Sequence, residues 1–224
     1  MQKKTLLVIC AILHTNVFSQ RGLQTLINET NNGDHVSLGN VNRVVSELER
    51  LKYIQRSPTE MLSEMIEKRP STFTVDTNRN TFYLVEPLGL LRYIHMFRTM
   101  EDILEFRLKV RSPIEDVTAE MTRQGAALCL GSAQERYSPY FRVGEVSMYH
   151  EGPKRLYKYL KTAEAGETVI NVYRPQFALS EKFFIQDDKK ERYTTRVQTV
   201  IDMFCDDKGA YSKPLLKELW EVEV

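Results

Sequence analysis

The sequence predicts an α+β protein in two parts, a helical front half closed by a short β-hairpin and a back half in which strands and helices alternate. Three observations predict it. Residues 37–53, SLGNVNRVVSELERLKY, place Val41, Val44, Val45, Leu48 and Leu51 in the rhythm of a helix with one buried face. STFTV (71–75) and TFYLV (81–85) alternate polar and apolar residues around the turn-rich DTNRN (76–80). From residue 112 onward, short apolar runs alternate with amphipathic segments, the pattern of a mixed α/β domain.

The chain opens with MQKKTLLVICAILHTNVFSQ, whose basic start and apolar run Leu6–Leu13 imitate a secretory signal. The rest of the chain lacks the disulfides of a secreted protein, and the following helices need a third wall. The run therefore reads as a core helix. Arg21–Asn31 is a second amphipathic segment, apolar at Leu23, Leu26 and Ile27, and NGDHV with Gly33 is a short polar connection. Ser37 stands where an N-cap belongs. The outer face of the next helix carries Asn40, Asn42, Arg43, Ser46, Glu47 and Arg50. Asn and Arg are the side chains that bond adenine and guanine edges in two places at once.

Helix, tight polar turn, helix and hairpin, in that order, make a winged helix-turn-helix domain over residues 1–86. The predicted DNA-binding set is Ser37, Asn40, Asn42, Arg43, Ser46, Arg50, Lys52 and Arg79. Asn40, Asn42, Arg43 and Ser46 are assigned to base edges or nearby phosphates. Arg50, Lys52 and Arg79, the last at the wing tip, are assigned to the backbone. Glu47 and Glu49 oppose this reading unless they lie at the helix end away from the phosphates. Between reading helix and wing, Pro58 and Pro70 bracket an inserted helix with Met61, Leu62, Met65 and Ile66 apolar.

PLGLLRYIHMFRTMEDILEFRLKVR (87–111) repeats apolar residues from Leu88 to Leu108 and is predicted to be one long helix. It reads as a connector, with a dimer seam as its alternative role. Residues 112–224 form the back half. Ser112-Pro113-Ile114-Glu115 predicts a capping box with proline at the first helical position, and Gly125 closes that helix. Strands are expected at 126–130, 145–151 and 168–175, and helices at 132–138, 153–161, 196–206 and 212–220.

LGSAQERYSPYFRVGEVSMYHE is the stretch to test for catalysis. A strand ending in Gly-Ser, a helix, and a strand bearing acids is how nucleotidyltransferases hold NTP phosphates and metal. Two-metal sites need hard oxygen ligands, normally two carboxylates one residue apart on a strand. Here Glu145 has Ser147 as its same-face neighbour, and Glu151 is too far along the strand. One carboxylate does not hold two metals. No G-x-S-x-G elbow, Gly-rich phosphate loop or H-E-x-x-H occurs, so the chain reads as a non-enzyme with no cofactor. Arg136, Tyr137, Tyr140, Phe141, Arg142, Tyr149, Lys154, Arg155, Tyr157, Lys158 and Tyr159 mix aromatic and basic side chains, the composition of a second nucleic-acid surface.

Cys10, Cys129 and Cys205 are isolated, as are the four histidines. Neither a disulfide framework nor a zinc site follows, and lone buried thiols suit a reducing, cytoplasmic setting. No run reaches the ~18 apolar residues of a membrane span. Net charge is +1, with residues 1–98 holding 12 Lys/Arg against 9 Asp/Glu. That mild bias suits one compact duplex contact rather than a wrap.

NVNRVVSELERLKYI, VEPLGLLRYI, LGSAQERYSPYF and TRVQTVIDMFCDDKGAYSKPLLKELW together resemble the AbiEi family of winged helix-turn-helix proteins, the antitoxins and autorepressors of type IV toxin–antitoxin systems. The resemblance covers most of the chain; the insertion at 58–70 departs from the compact winged domain. It implies a DNA-binding front half and a back half of nucleotidyltransferase-like topology without catalytic carboxylates. It also implies a toxin partner that is itself a nucleotidyltransferase. The expected function is therefore a cytoplasmic regulator that binds double-stranded DNA. The alternative is an active nucleotidyltransferase acting on a nucleic acid or nucleotide.

Overall fold

The computed structural model describes residues 3–30, 35–57, 80–138, 144–160, 168–175, 184–188 and 190–222. They divide into two compact units, Met1–Arg98 with Leu215–Val224, and Thr99–Pro214. The fold is mixed α+β, with a three-stranded sheet in the first unit and a six-stranded sheet in the second.

The first unit runs α1 (Lys3–Thr15), β1 (Val17–Ser19), α2 (Gln20–Thr30), α3 (Leu38–Arg50), β2 (Ile54–Arg56), β3 (Thr81–Leu84) and α4 (Pro87–His95). The expected core helix is α1: every residue from Leu6 to Thr15 is buried, and α2, α3 and α4 all pack on it. Such all-round burial explains why its run of apolar residues shows no clean stripe. Ser19 Oγ accepts from the Gly22 amide at 3.0 Å and starts α2, which buries Leu23, Leu26 and Ile27 as the periodicity requires.

Residues 31–34 of the expected polar connection, Gly33 among them, lie outside the described residues, but Val36, just ahead of α3, is held by side chains of α2. Asn28 Oδ1 accepts from the Val36 amide at 2.8 Å, and Asn28 Nδ2 and Gln24 Nε2 both donate to the Val36 carbonyl at 3.2 Å. The backbone of Val36, which is buried and has no ladder partner, is thereby satisfied. Ser37 caps α3 as expected, its Oγ accepting from the Asn40 amide at 3.2 Å. The helix ends in a Schellman turn: Tyr53 N–H reaches the Leu48 carbonyl and Lys52 N–H the Glu49 carbonyl, both at 3.0 Å. Lys52 fills the left-handed position of that turn with φ 62°, where glycine is the unstrained choice.

β3 is the central strand of the first sheet, antiparallel to β1 (Phe18 opposite Phe82) and to β2 (Gln55 opposite Tyr83). The strand expected at 81–85 is thus present, flanked by two three-residue strands that carry no readable alternation. The other expected strand (71–75), the loop 76–80 apart from Asn80, and the inserted helix at 58–70 lie outside the described residues. Trp220, at the end of the last helix, donates from Nε1 to the buried Asn16 Oδ1 at 2.7 Å.

The long helix expected over 87–111 is not formed. α4 ends at His95, and Leu104–Val110 is a strand, β4. LEFRLKV alternates Leu104, Phe106, Leu108 and Val110 with charged residues, and this period of two prevails over the spacing of three that joins Leu88 to Ile103.

The second unit continues with α5 (Ile114–Arg123), β5 (Ala127–Leu128), α6 (Leu130–Tyr137), β6 (Glu145–Tyr149), α7 (Pro153–Leu160), β7 (Thr168–Tyr173), β8 (Phe184–Gln186), β9 (Arg192–Thr194) and α8 (Arg196–Cys205), followed by the start of α9 (Lys213–Trp220). The expected capping box does not form: Pro113 is the N-cap of α5 without a side-chain bond, and the Ser112 carbonyl instead accepts from Thr168 Oγ1 at 2.8 Å. Gly125, at φ 89°, closes α5 as expected. The sheet order is β4-β7-β6-β5-β9-β8, with β6 parallel to β7 and β5 parallel to β9. One sheet face is the apolar core, Val146, Met148, Ile170 and Val172 beneath Val117 and Met121 of α5 and Leu156 and Leu160 of α7. Alternation puts Glu145, Ser147, Tyr149, Asn171 and Tyr173 on the other face. Among the described residues no helix is long and apolar enough to cross a membrane, and Cys10, Cys129 and Cys205 are all buried.

Candidate nucleic-acid interface

α3 buries Val41, Val44, Val45 and Leu48 and turns Gly39, Asn42, Arg43, Ser46, Glu47 and Arg50 to solvent. Ser37 is also exposed and Asn40 half-buried. Asn42, Arg43 and Ser46 make no hydrogen bond with their side chains among the described residues, so their donors and acceptors are available. Arg79 lies outside the described residues.

The two carboxylates that opposed the reading are each held by an arginine. Arg50 forks onto Glu47, Nη2 to Oε1 at 2.7 Å and Nε to Oε2 at 3.1 Å. The hydrogen bond from Arg50 keeps the Glu47 carboxyl below the usual glutamate range, and the same bond raises the Arg50 guanidinium. Arg56 of β2 donates from Nε to Glu49 Oε1 at 3.0 Å and lies 5.4 Å from the Phe82 ring centre. Arg50 is therefore committed within α3, while Arg43 and the exposed Lys52 remain the cations at this face with no ion-pair partner among the described residues. Arg56 escaped the sequence reading because its partner sits seven residues back on another element. Glu47–Arg50 was legible, being spaced i, i+3 on a helix.

A second polar cluster occupies the polar face of the larger sheet. The turn from β5 into α6 holds Leu130 at φ 51°, an uncommon conformation for a bulky residue, and presents Ser132 to β6. Ser132 Oγ donates to the Glu145 carbonyl at 3.2 Å and accepts from the Ser147 amide at 2.9 Å. Asn171 Nδ2 donates to Glu145 Oε2 at 3.0 Å and lies 3.4 Å from Ser147 Oγ, so Glu145 and Ser147 do share a face. Lys208 Nζ contacts Glu145 Oε1 at 3.2 Å and Asp206 Oδ2 at 2.7 Å. Desolvation pulls the Lys208 ammonium down, but Asp206 and Glu145 outweigh it and hold it raised. Arg107 Nε donates to Asn171 Oδ1 at 2.7 Å and its Nη2 to Glu101 Oε1 at 2.9 Å. The carboxylates of the cluster are each engaged by a cation, Glu145 and Asp206 by Lys208 and Glu101 by Arg107, and among the described residues no group of His, Cys, Asp and Glu suits a metal. Lys208, Arg107 and Asn171 were missed because each lies far from Glu145 in sequence.

Of the aromatic and basic residues expected to form a stacking surface, several described ones are engaged within the fold. Tyr149 is buried with its hydroxyl on Asp202 Oδ1 at 2.8 Å, and Tyr137 donates to the Thr194 carbonyl at 2.5 Å beneath Arg196. Arg136 is paired with Glu191 at 2.7 Å, and Tyr157 packs edge-on against Phe106. Lys154 and Arg155 are exposed. Tyr140, Phe141, Arg142 and the side chains of Lys158 and Tyr159 lie outside the described residues.

No family model, no curated protein and no solved structure matches the chain.

Proposed function

We propose that the protein is a DNA-binding transcriptional regulator whose first unit reads a duplex through α3, and that it acts as an AbiEi-type antitoxin and autorepressor. The observation that carries the reading is the polar row Asn42, Arg43 and Ser46, without side-chain partners among the described residues, on the outer face of a helix that buries Val41, Val44, Val45 and Leu48 on the other. The element order α1-β1-α2-α3-β2-β3 and the sheet order β1-β3-β2 support a winged helix; of the proposed wing, 71–85, the described part is β3 with its flanking residues. The Asn28 clamp on Val36 ties the start of α3 to α2, and a reading helix needs a fixed neighbour in order to keep its register on the bases. Pairing of Glu47 and Glu49 with arginines lessens their repulsion of phosphate.

On this reading the second unit is nucleotidyltransferase-like and non-catalytic. The neutral Ser147 and Asn171 around Glu145, with Lys208 on its free oxygen, support that over the transferase alternative. Its partner is then a toxin that is itself a nucleotidyltransferase, and its setting the cytoplasm; a homodimer is compatible with it. The test is fluorescence anisotropy with duplex DNA from upstream of the protein's own gene. Arg43→Ala costs about 1–3 kcal/mol on the preferred site and relaxes sequence choice there. Undiminished affinity in that variant sinks the assignment of α3.

A further inference from the structure

We propose that a cleft beside α3 binds a small aromatic carboxylate, and that the bound carboxylate draws Arg43 away from DNA; this regulation rests on the DNA reading given above. The cleft has a volume of about 320 Å³ and lies between α1, α3 and α4 of the first unit. That is the lower end of the ~300–1,000 Å³ typical of small-ligand pockets. Its floor is apolar: Ile9, Val44 and Leu48 are all buried. One wall is the Tyr93 ring, steadied by Tyr53 at 5.9 Å and Phe97 at 5.3 Å between ring centres. An aromatic ring suits the space between that floor and that wall.

The rim decides the charge of the occupant. Arg43 and Glu47 both line the cleft. Both Glu47 oxygens are taken by Arg50, whereas Arg43 has no partner among the described residues. The cleft therefore offers one open guanidinium above an apolar floor. A planar carboxylate matches its fork of donors, and a neutral amide or an amine does not. A guanidinium engaged by that carboxylate no longer forks onto a guanine edge. The ligand thus lowers duplex affinity toward the level of the Arg43→Ala variant.

The experiment titrates the full chain with phenylacetate while methyl NMR follows Ile9, Val44 and Leu48. The expected result is saturable shifts of these methyls in the millimolar range, absent with phenylacetamide and absent in Arg43→Gln, whose exposed position leaves the fold intact. In parallel, saturating phenylacetate weakens duplex binding of the wild type about tenfold and leaves the residual binding of Arg43→Gln unaltered. No saturable shift, or equal binding of phenylacetamide, overturns the site. Saturation without any change in duplex affinity overturns the regulation. A ligand-free chain that binds no duplex refutes the DNA reading instead, and the methyl titration then still decides the site.

Discussion

Arg43 and Arg50 share the outer face of α3, yet only Arg43 is without a partner among the described residues, because Glu47 holds Arg50 at 2.7 Å. Glu47→Ala releases Arg50 to the phosphates. Affinity for all duplexes then rises without a change of preference, and the salt dependence steepens by about one unit of log–log slope, as read by anisotropy across ionic strength. Since the hydrogen bond from Arg50 depresses the Glu47 carboxyl, the pair is lost at a lower pH than that at which an unpaired glutamate protonates. Lys52 gives the clearest trade-off. A lysine at φ 62° costs about 1 kcal/mol relative to glycine. Lys52→Gly is therefore expected to raise thermal stability while weakening binding to every duplex alike. A variant that gains stability and keeps its affinity would show that Lys52 touches no phosphate.

At the scale of elements, the hold of α2 on Val36, just ahead of α3, is the contact to test. Asn28→Ala strips the Val36 backbone of two of its side-chain bonds. Denaturant unfolding should show a loss of about 1–3 kcal/mol. Leu48→Ala, emptying a site that is 1 % exposed, should cost about 2–5 kcal/mol. The helices with one buried stripe, α2 and α3, were legible from spacing alone, and so were the strands around Glu145 and Ile170. β4 was misread because Leu91, Ile94, Phe97, Met100 and Ile103 continue a spacing of three right up to a strand that alternates by two. β1, β2, β8 and β9 are three residues each, too short to show any period. The outward set on α3 could be read from the sequence. Its ion pairing across to β2, and the network joining Glu145 to Lys208 and Arg107, depend on contacts that only the fold creates.

Across the whole molecule the net charge is only +1, and on the proposed reading the duplex contact is a small patch of the first unit. On that reading the second unit is non-catalytic. Incubation with labelled NTP, Mg²⁺ and tRNA should transfer no label, since Glu145 is taken by Lys208 and Asn171, and Asp206 by the same Lys208, in place of metal. Label transfer that is lost in Glu145→Gln would restore the enzyme reading. The most direct measurement of the central claim is selection of preferred sequences from a randomised duplex pool by the full chain and by its Arg43→Ala variant. The account predicts that the wild type enriches a defined site and that the variant loses preference at one position of it while retaining the others. Enrichment of the same site by both proteins, or of none by the wild type, would contradict it.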